Sequence, residues 1–80
     1  MSIDVETVRA LIGKLDLLPD PSALIADMPL NKQGLDSLDF VNLLFRFEED
    51  YGIKLPDSEV DGVKTINDIV TLVNAKLAGQ

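Results

Sequence analysis

Apolar residues return every three or four positions in three separate stretches of this chain, and few segments alternate strictly between apolar and polar. That period belongs to helices that bury one face. Val5, Val8, Ile12 and Leu15, with Leu11 beside them, predict a helix over roughly residues 3 to 16, with Ser2 as its N-cap. Pro19 and Pro21 prevent its smooth continuation. A long connection is expected over roughly residues 17 to 35, carrying Pro19, Pro21, Pro29 and the polar run Asn31-Lys32-Gln33. Leu24, Ile25, Met28 and Leu30 are the residues available to pack it, through a short helical turn. A second helix is predicted from Asp36 or Ser37 to about Asp50, with Asp36 as N-cap, Asp39 in the first turn and Gly52 as C-cap. Pro56-Asp57-Ser58-Glu59 opens a short third helix, with Asp57 as cap and Val60 facing inward. Thr65-Ile66-Asn67-Asp68 is a capping box with Asp in place of the usual Glu or Gln. Ile66, Ile69, Val70, Val73 and Leu77 then share one face of a last helix that ends near Ala78-Gly79. The expected fold is all-α: a four-helix bundle of three longer helices and one short helix, with a long loop between the first and second.

Eighty residues, 1–80, are expected to form a single domain. A chain this short buries only about 60% of the surface it exposes when unfolded, so its stability is modest. The sequence has no Cys and no His, which removes disulfides, thiolate chemistry and the usual zinc ligands. Met1-Ser2-Ile3-Asp4 lacks the basic and apolar regions of a signal peptide, and no apolar run is long enough to cross a bilayer. A soluble, cytoplasmic protein is expected. The net charge of −7 disfavours nucleic acid and anionic membranes and favours basic patches on other proteins. The acids are also unevenly spread. Asp36, Asp39, Glu48, Glu49, Asp50, Asp57, Glu59 and Asp61 occupy a span whose only cations are Arg46 and Lys54. Neither Glu48-Glu49-Asp50 nor Asp57-Glu59-Asp61 has the spacing of a calcium loop, so both read as solvated acidic faces and no metal site is expected.

The second helix carries more apolar residues than one buried face can use. On a wheel of roughly 100° per residue, Phe40, Leu43, Leu44 and Phe47 form the core face. Leu38, Val41 and Phe45 form a second stripe, bordered by Asn42, Glu48 and Glu49, with Arg46 and Asp39 further round. Two readings follow. The helix is central and buried on all sides, or the second stripe is an exposed docking surface with apolar anchors and an acidic rim. Arg46 has Asp50 or Asn42 within helical reach, and such a pair adds little stability when exposed.

Gly34-Leu35-Asp36-Ser37-Leu38 opens this helix with a serine where backbone N–H groups lack intrahelical partners. A serine nucleophile of the Ser–His–Asp kind needs an imidazole, which is absent, and the nearest lysine in sequence is Lys32. Ser37 therefore reads as a residue acted upon. A phosphate ester there gains from the free N–H groups and the helix dipole. The plainer reading is that Ser37 only begins a helix.

Gly34-Leu35-Asp36-Ser37-Leu38, then Val41, Leu43-Leu44, Glu48-Glu49-Asp50 and Ile53-Lys54-Leu55-Pro56, with a terminal helix opening at Thr65, resembles the acyl carrier protein family. The likeness extends over nearly the whole chain and is most specific from residue 34 to 77. The resemblance implies a carrier, not an enzyme. It implies that Ser37 is the attachment site of 4′-phosphopantetheine, transferred from coenzyme A by a phosphopantetheinyl transferase, and that the arm's thiol holds acyl or aminoacyl cargo as a thioester. It implies that Asp36, Asp39 and Leu38 help the transferase recognise the serine. It implies that Leu38, Asp39, Val41, Asn42, Phe45, Arg46, Glu48 and Glu49 meet partner enzymes, namely loading ligases and synthases with basic docking patches. It implies that Val60 and Val63 flank the region where cargo shelters. A monomer is expected, with neither nucleic acid nor membrane insertion.

Four positions depart from the family pattern. Gln33 stands where an apolar residue, commonly Leu, precedes the glycine, and Leu30 is expected to replace it in packing. Asn42 occupies a position that is often Glu, and Arg46 brings positive charge to a helix that is usually acidic or neutral there. Phe40 replaces a smaller residue and is expected to fill part of the shelter, so that long acyl chains are held poorly. Together these indicate a specialised carrier. The alternative class is a non-covalent interaction module that docks through its acidic second helix. An enzyme is the poorest option without His or Cys.

Overall fold

The computed structural model describes residues 2–79; Met1 and Gln80 lie outside the described residues. Four α-helices follow in order: α1 (Val5–Lys14), α2 (Ser37–Tyr51), α3 (Asp57–Val60) and α4 (Ile66–Ala78). No strand occurs among the described residues. Two 3₁₀ turns, Pro21–Ala23 and Leu30–Gln33, interrupt the long α1–α2 connection. The all-α expectation of three longer helices and one short one is met.

The first helix begins later than expected, and Ser2 is not its cap. Asp4 holds that position: its carboxylate accepts the Thr7 N–H (2.9 Å), and Thr7 completes a capping box. Ser2 is displaced because Ile3 is buried outside the helix, with its N–H and carbonyl paired to the Asn74 side chain of α4 (2.7 and 3.0 Å). The helix also ends earlier, at Lys14, before either proline. Leu17 N–H bonds the Ile12 carbonyl and Asp16 N–H bonds the Gly13 carbonyl, both at 3.1 Å, with Asp16 left-handed at φ +56°. That is the paired terminus that closes a helix from its C-terminal side, with Asp in the place glycine usually takes.

Leu24 and Leu30 are buried as expected of the connection, but Ile25 and Met28 are exposed. Their part is taken by Gln33, whose amide accepts the Ile25 N–H (2.7 Å) and donates to the Ile25 and Met28 carbonyls (2.9 and 3.0 Å). The loop is thus held by polar bonds where hydrophobic packing was expected, and Leu30 does supply the apolar contact that Gln33 cannot. Two further bonds tie the loop to α4 and the residues just before it: Leu30 N–H to the Lys64 carbonyl (2.8 Å) and Asn67 N–H to the Ala26 carbonyl (3.2 Å).

The core lies between α1, α2 and α4. Val8, Ile12, Leu43, Phe47, Ile66, Ile69 and Val73 are fully buried, and no charged or polar residue is buried among the described residues. Phe40, expected on this face of α2, is only half-buried. Gly52 ends α2 in the left-handed region at φ +65°, the conformation only glycine adopts without strain. The Glu48 carboxylate then accepts the Leu55 N–H (2.8 Å) and directs the chain into α3. Asp57 is not the cap of α3. Pro56 occupies that position without a side-chain bond, and Asp57 contributes charge to the first turn instead. Thr65 and Asp68 form the predicted capping box at α4.

Candidate functional site

The start of α2 is set by two residues. Gly34 ends the second 3₁₀ turn at φ +103°, and a Cβ there would press on Leu18 Cδ2 at 3.3 Å, so both torsion and space call for glycine. Leu35 is buried and anchors the chain immediately before the helix. Asp36 then caps α2, its carboxylate accepting the Asp39 N–H (2.8 Å). Because Asp36 is the cap, Ser37 is the first helical residue, exposed, and its hydroxyl has no hydrogen-bond partner among the described residues. The N–H groups of Ser37 and Leu38 are also unpaired, as expected for a first turn.

A cavity of about 180 Å³ opens beside this serine, lined by Asn31, Leu35, Asp36, Ser37, Phe40, Val63 and Lys64. Phe40 and Val63, two of the three residues named for a cargo shelter, are among those that line it. The third, Val60, is not among the lining residues; like Val63 it is partly buried against the core, and the Val63 N–H bonds its carbonyl at 3.0 Å. Asn31 and Lys64 were not singled out from the sequence. Asn31 lies in the loop and Lys64 far along the chain, and the Leu30–Lys64 backbone bond helps bring the two segments to the same opening.

The second stripe of α2 is exposed. Leu38, Val41 and Phe45 are 68%, 44% and 56% accessible, which rules out a helix buried all round. Asn42 and Glu49 beside them are exposed, and Asp39, Arg46 and Glu48 are half-buried. Arg46 pairs with Asp50 through Nε (3.1 Å), the first of its two expected partners. Glu48 points its carboxylate inward to Leu55 and so serves the fold as well as the rim. A serine hydroxyl without an internal partner, at an open helix terminus and beside a small half-apolar cavity, fits a phosphodiester-linked arm.

The whole-chain comparisons agree with this geometry. Residues 6–73 match the PP-binding family profile, described as the phosphopantetheine attachment site. The acyl carrier protein of Thermosynechococcus vestitus is 32% identical over 75 residues, covering 92% of this chain and 91% of that protein. That of Campylobacter hominis is 35% identical over 77 residues, covering 91% of each. The solution structure of oxytetracycline acyl carrier protein superposes with a TM-score of 0.84 at 26% identity, covering 99% of this chain and 86% of that one. No helix among the described residues is long and apolar enough to cross a membrane. The chain therefore belongs to the acyl carrier protein family: it is a phosphopantetheine-dependent carrier and not an enzyme.

Proposed function

We propose that Ser37 is the residue that receives 4′-phosphopantetheine and that the exposed stripe of α2 is where partner enzymes dock. The observation that carries the first half is the state of the Ser37 hydroxyl: exposed, unbonded and first in the helix, while its neighbour Asp36 does the capping. The arm supplies a thiol that holds acyl or aminoacyl cargo as a thioester. The protein's own residues present that serine, keep Asp36 and Leu38 beside it for the transferase to read, and leave the bond-making chemistry to partners. Tethering raises the effective concentration of cargo at each partner's active site.

Leu38, Val41 and Phe45 supply apolar anchors for docking, and Asp39, Asn42, Arg46, Glu48 and Glu49 supply the polar rim. The net charge of −7 steers the chain toward loading ligases and synthases with basic patches. Phe40 and Val63 border the cargo side of the serine, and Val60 is partly buried nearby in the chain at the end of α3. The carrier acts as a monomer in the cytoplasm, free to visit successive active sites. The test is the intact mass of the protein before and after incubation with coenzyme A and a broad-specificity phosphopantetheinyl transferase, beside Ser37→Ala. One added phosphopantetheine on the parent and none on the variant is expected. Modification of the variant would move the attachment elsewhere, and no gain by a folded, previously unmodified parent would return the chain to a non-covalent docking role.

A further inference from the structure

Helix α2 carries four acids, Asp39, Glu48, Glu49 and Asp50, and a single cation, Arg46. With Asn42 and Glu49, Arg46 makes a row at i, i+4 and i+7 along one side of the helix. That row borders a groove of about 340 Å³, closed on the other side by Leu15 and Leu17 at the end of α1 and reached by Phe45. Both leucines are half-buried, one on each side of the left-handed Asp16. Phe45 belongs to this groove and to the exposed stripe, so the groove extends the stripe toward the end of α1.

Arg46 is committed through one of its three nitrogens. Its Nε donates to both Asp50 carboxylate oxygens (3.1 and 3.2 Å), and the two terminal nitrogens make no hydrogen bond among the described residues. The two side chains are 35% and 40% exposed, so water satisfies those nitrogens while the groove is open. A partner that covers the groove removes that water, and a desolvated guanidinium edge without an acceptor is strongly unfavourable. A wholly basic surface would add repulsion at the same point. Glu49 has the opposite need: it is exposed and has no ion-pair partner among the described residues. A cavity of about 150 Å³ takes a benzene-sized group, so this groove has room for one large apolar side chain with polar groups beside it. A second copy of the chain would bring its own net charge of −7 to an acidic rim, which leaves a different protein as the occupant.

We propose that this groove receives an apolar side chain of a partner enzyme, flanked by a carboxylate that takes the terminal nitrogens of Arg46 and a cation that meets Glu49. Arg46 and Glu49 stand three residues apart on one helix face, so the two partner charges lie about one turn, about 5–6 Å, from each other. Arg46 is thereby a specificity-determining residue: it disfavours a surface that is basic throughout and selects one with an acid set among the bases. The inference rests on the docking role of α2 and deepens it.

The experiment titrates the full-length, isotope-labelled chain by NMR with two synthetic helical peptides at about 0.15 M salt, where distant charges are screened. Both peptides present a leucine beside a lysine; one turn away, one peptide has glutamate and the other a second lysine. Parent, Arg46→Lys, Arg46→Gln and Arg46→Glu are compared, each first shown by its spectrum without peptide to be folded. The glutamate peptide is expected to shift Leu15, Leu17 and Phe45 of the parent. Its affinity relative to the lysine peptide is expected to fall about two- to fivefold in Arg46→Gln, to fall further in Arg46→Glu, and to be kept in Arg46→Lys. A relative affinity indifferent to substitution of Arg46 overturns the proposal wherever the shifts fall. Shifts confined to Leu38, Val41 and Phe45 overturn the groove and leave the docking stripe standing. No shift on α2 with either peptide overturns the docking role and this inference with it. Shifts of Leu15 and Leu17 that grow with protein concentration alone assign the groove to a second copy and also overturn the proposal.

Discussion

Asp36 and Ser37 divide two tasks that a single serine often combines. The carboxylate caps the helix, and the hydroxyl stays free. Asp36→Ala is therefore expected to lower stability by about 1 kcal/mol in urea unfolding, the usual cost of losing a cap. Ser37→Ala is expected to stay within about 0.5 kcal/mol of the parent, because it removes no bond the fold uses. Equal losses for the two variants would mean that Ser37 shares the capping. Gln33 is the other residue whose role is defined by bonds, not burial. Gln33→Ala removes three hydrogen bonds to the loop and is expected to cost about 1–2 kcal/mol, given a net contribution of about 0.5–1.5 kcal/mol per bond and partial solvent access. The Asp36 cap and the Thr65 box were legible in the sequence because capping acts over three residues. Gln33 was visible only as a polar residue in an apolar position; its partners sit eight and five residues away in a loop with no period to reveal them.

At the scale of the element, α2 is a helix with two apolar faces and two different fates. Phe47 is fully buried and Phe45 is 56% exposed, two residues apart on the same helix. Phe47→Ala is expected to cost about 3–5 kcal/mol. A chain of this size has roughly 4–12 kcal/mol in total, so much of its stability is lost. Phe45→Ser is expected to leave the thermal midpoint nearly unchanged and to slow cargo transfer from a loading enzyme. Parallel thermal melts and transfer assays check both, and a Phe45 variant as unstable as the Phe47 variant would count against a docking surface. The acidic rim must be probed at Glu49, since Glu48 also holds Leu55. Glu49→Lys is expected to slow association with a basic partner and flatten its dependence on salt; rates unchanged across ionic strength would exclude electrostatic steering.

For the whole molecule, acid is the natural stress. The Asp4 carboxyl is held below its usual value of 3.8 by hydrogen bonds from Thr7, backbone first and then side chain. Asp68 is held below the same value chiefly by the Lys64 N–H, with Thr65 adding to it against a desolvation effect in the other direction. A carboxyl lowered in the folded state favours folding above its unfolded pKa, and that contribution disappears as pH falls through the folded value. Stability is therefore expected to drop as pH is taken below about 3.8, and Asp68→Asn to shallow that acid limb; denaturation profiles that superpose across this range would contradict the assignment. Asp68 also holds the backbone of Lys64, so the same acid limb reports on the segment beside Ser37. What the sequence alone determined was local or periodic: the helices and their order, the caps at Asp36 and Thr65, the glycine before the motif, and the absence of His and Cys. The spacing of α2 left its second stripe open to burial or exposure. Tertiary structure decided that question, because α1, α4 and the loop cover only one side of α2, and wheel geometry carries no information on how many neighbours a helix has. It also decided that Lys64 and Asn31 share an opening with Ser37, through a backbone bond between segments 34 residues apart, from Leu30 to Lys64. Contacts across such a separation depend on how the loop closes, and loop closure has no signature in a single sequence.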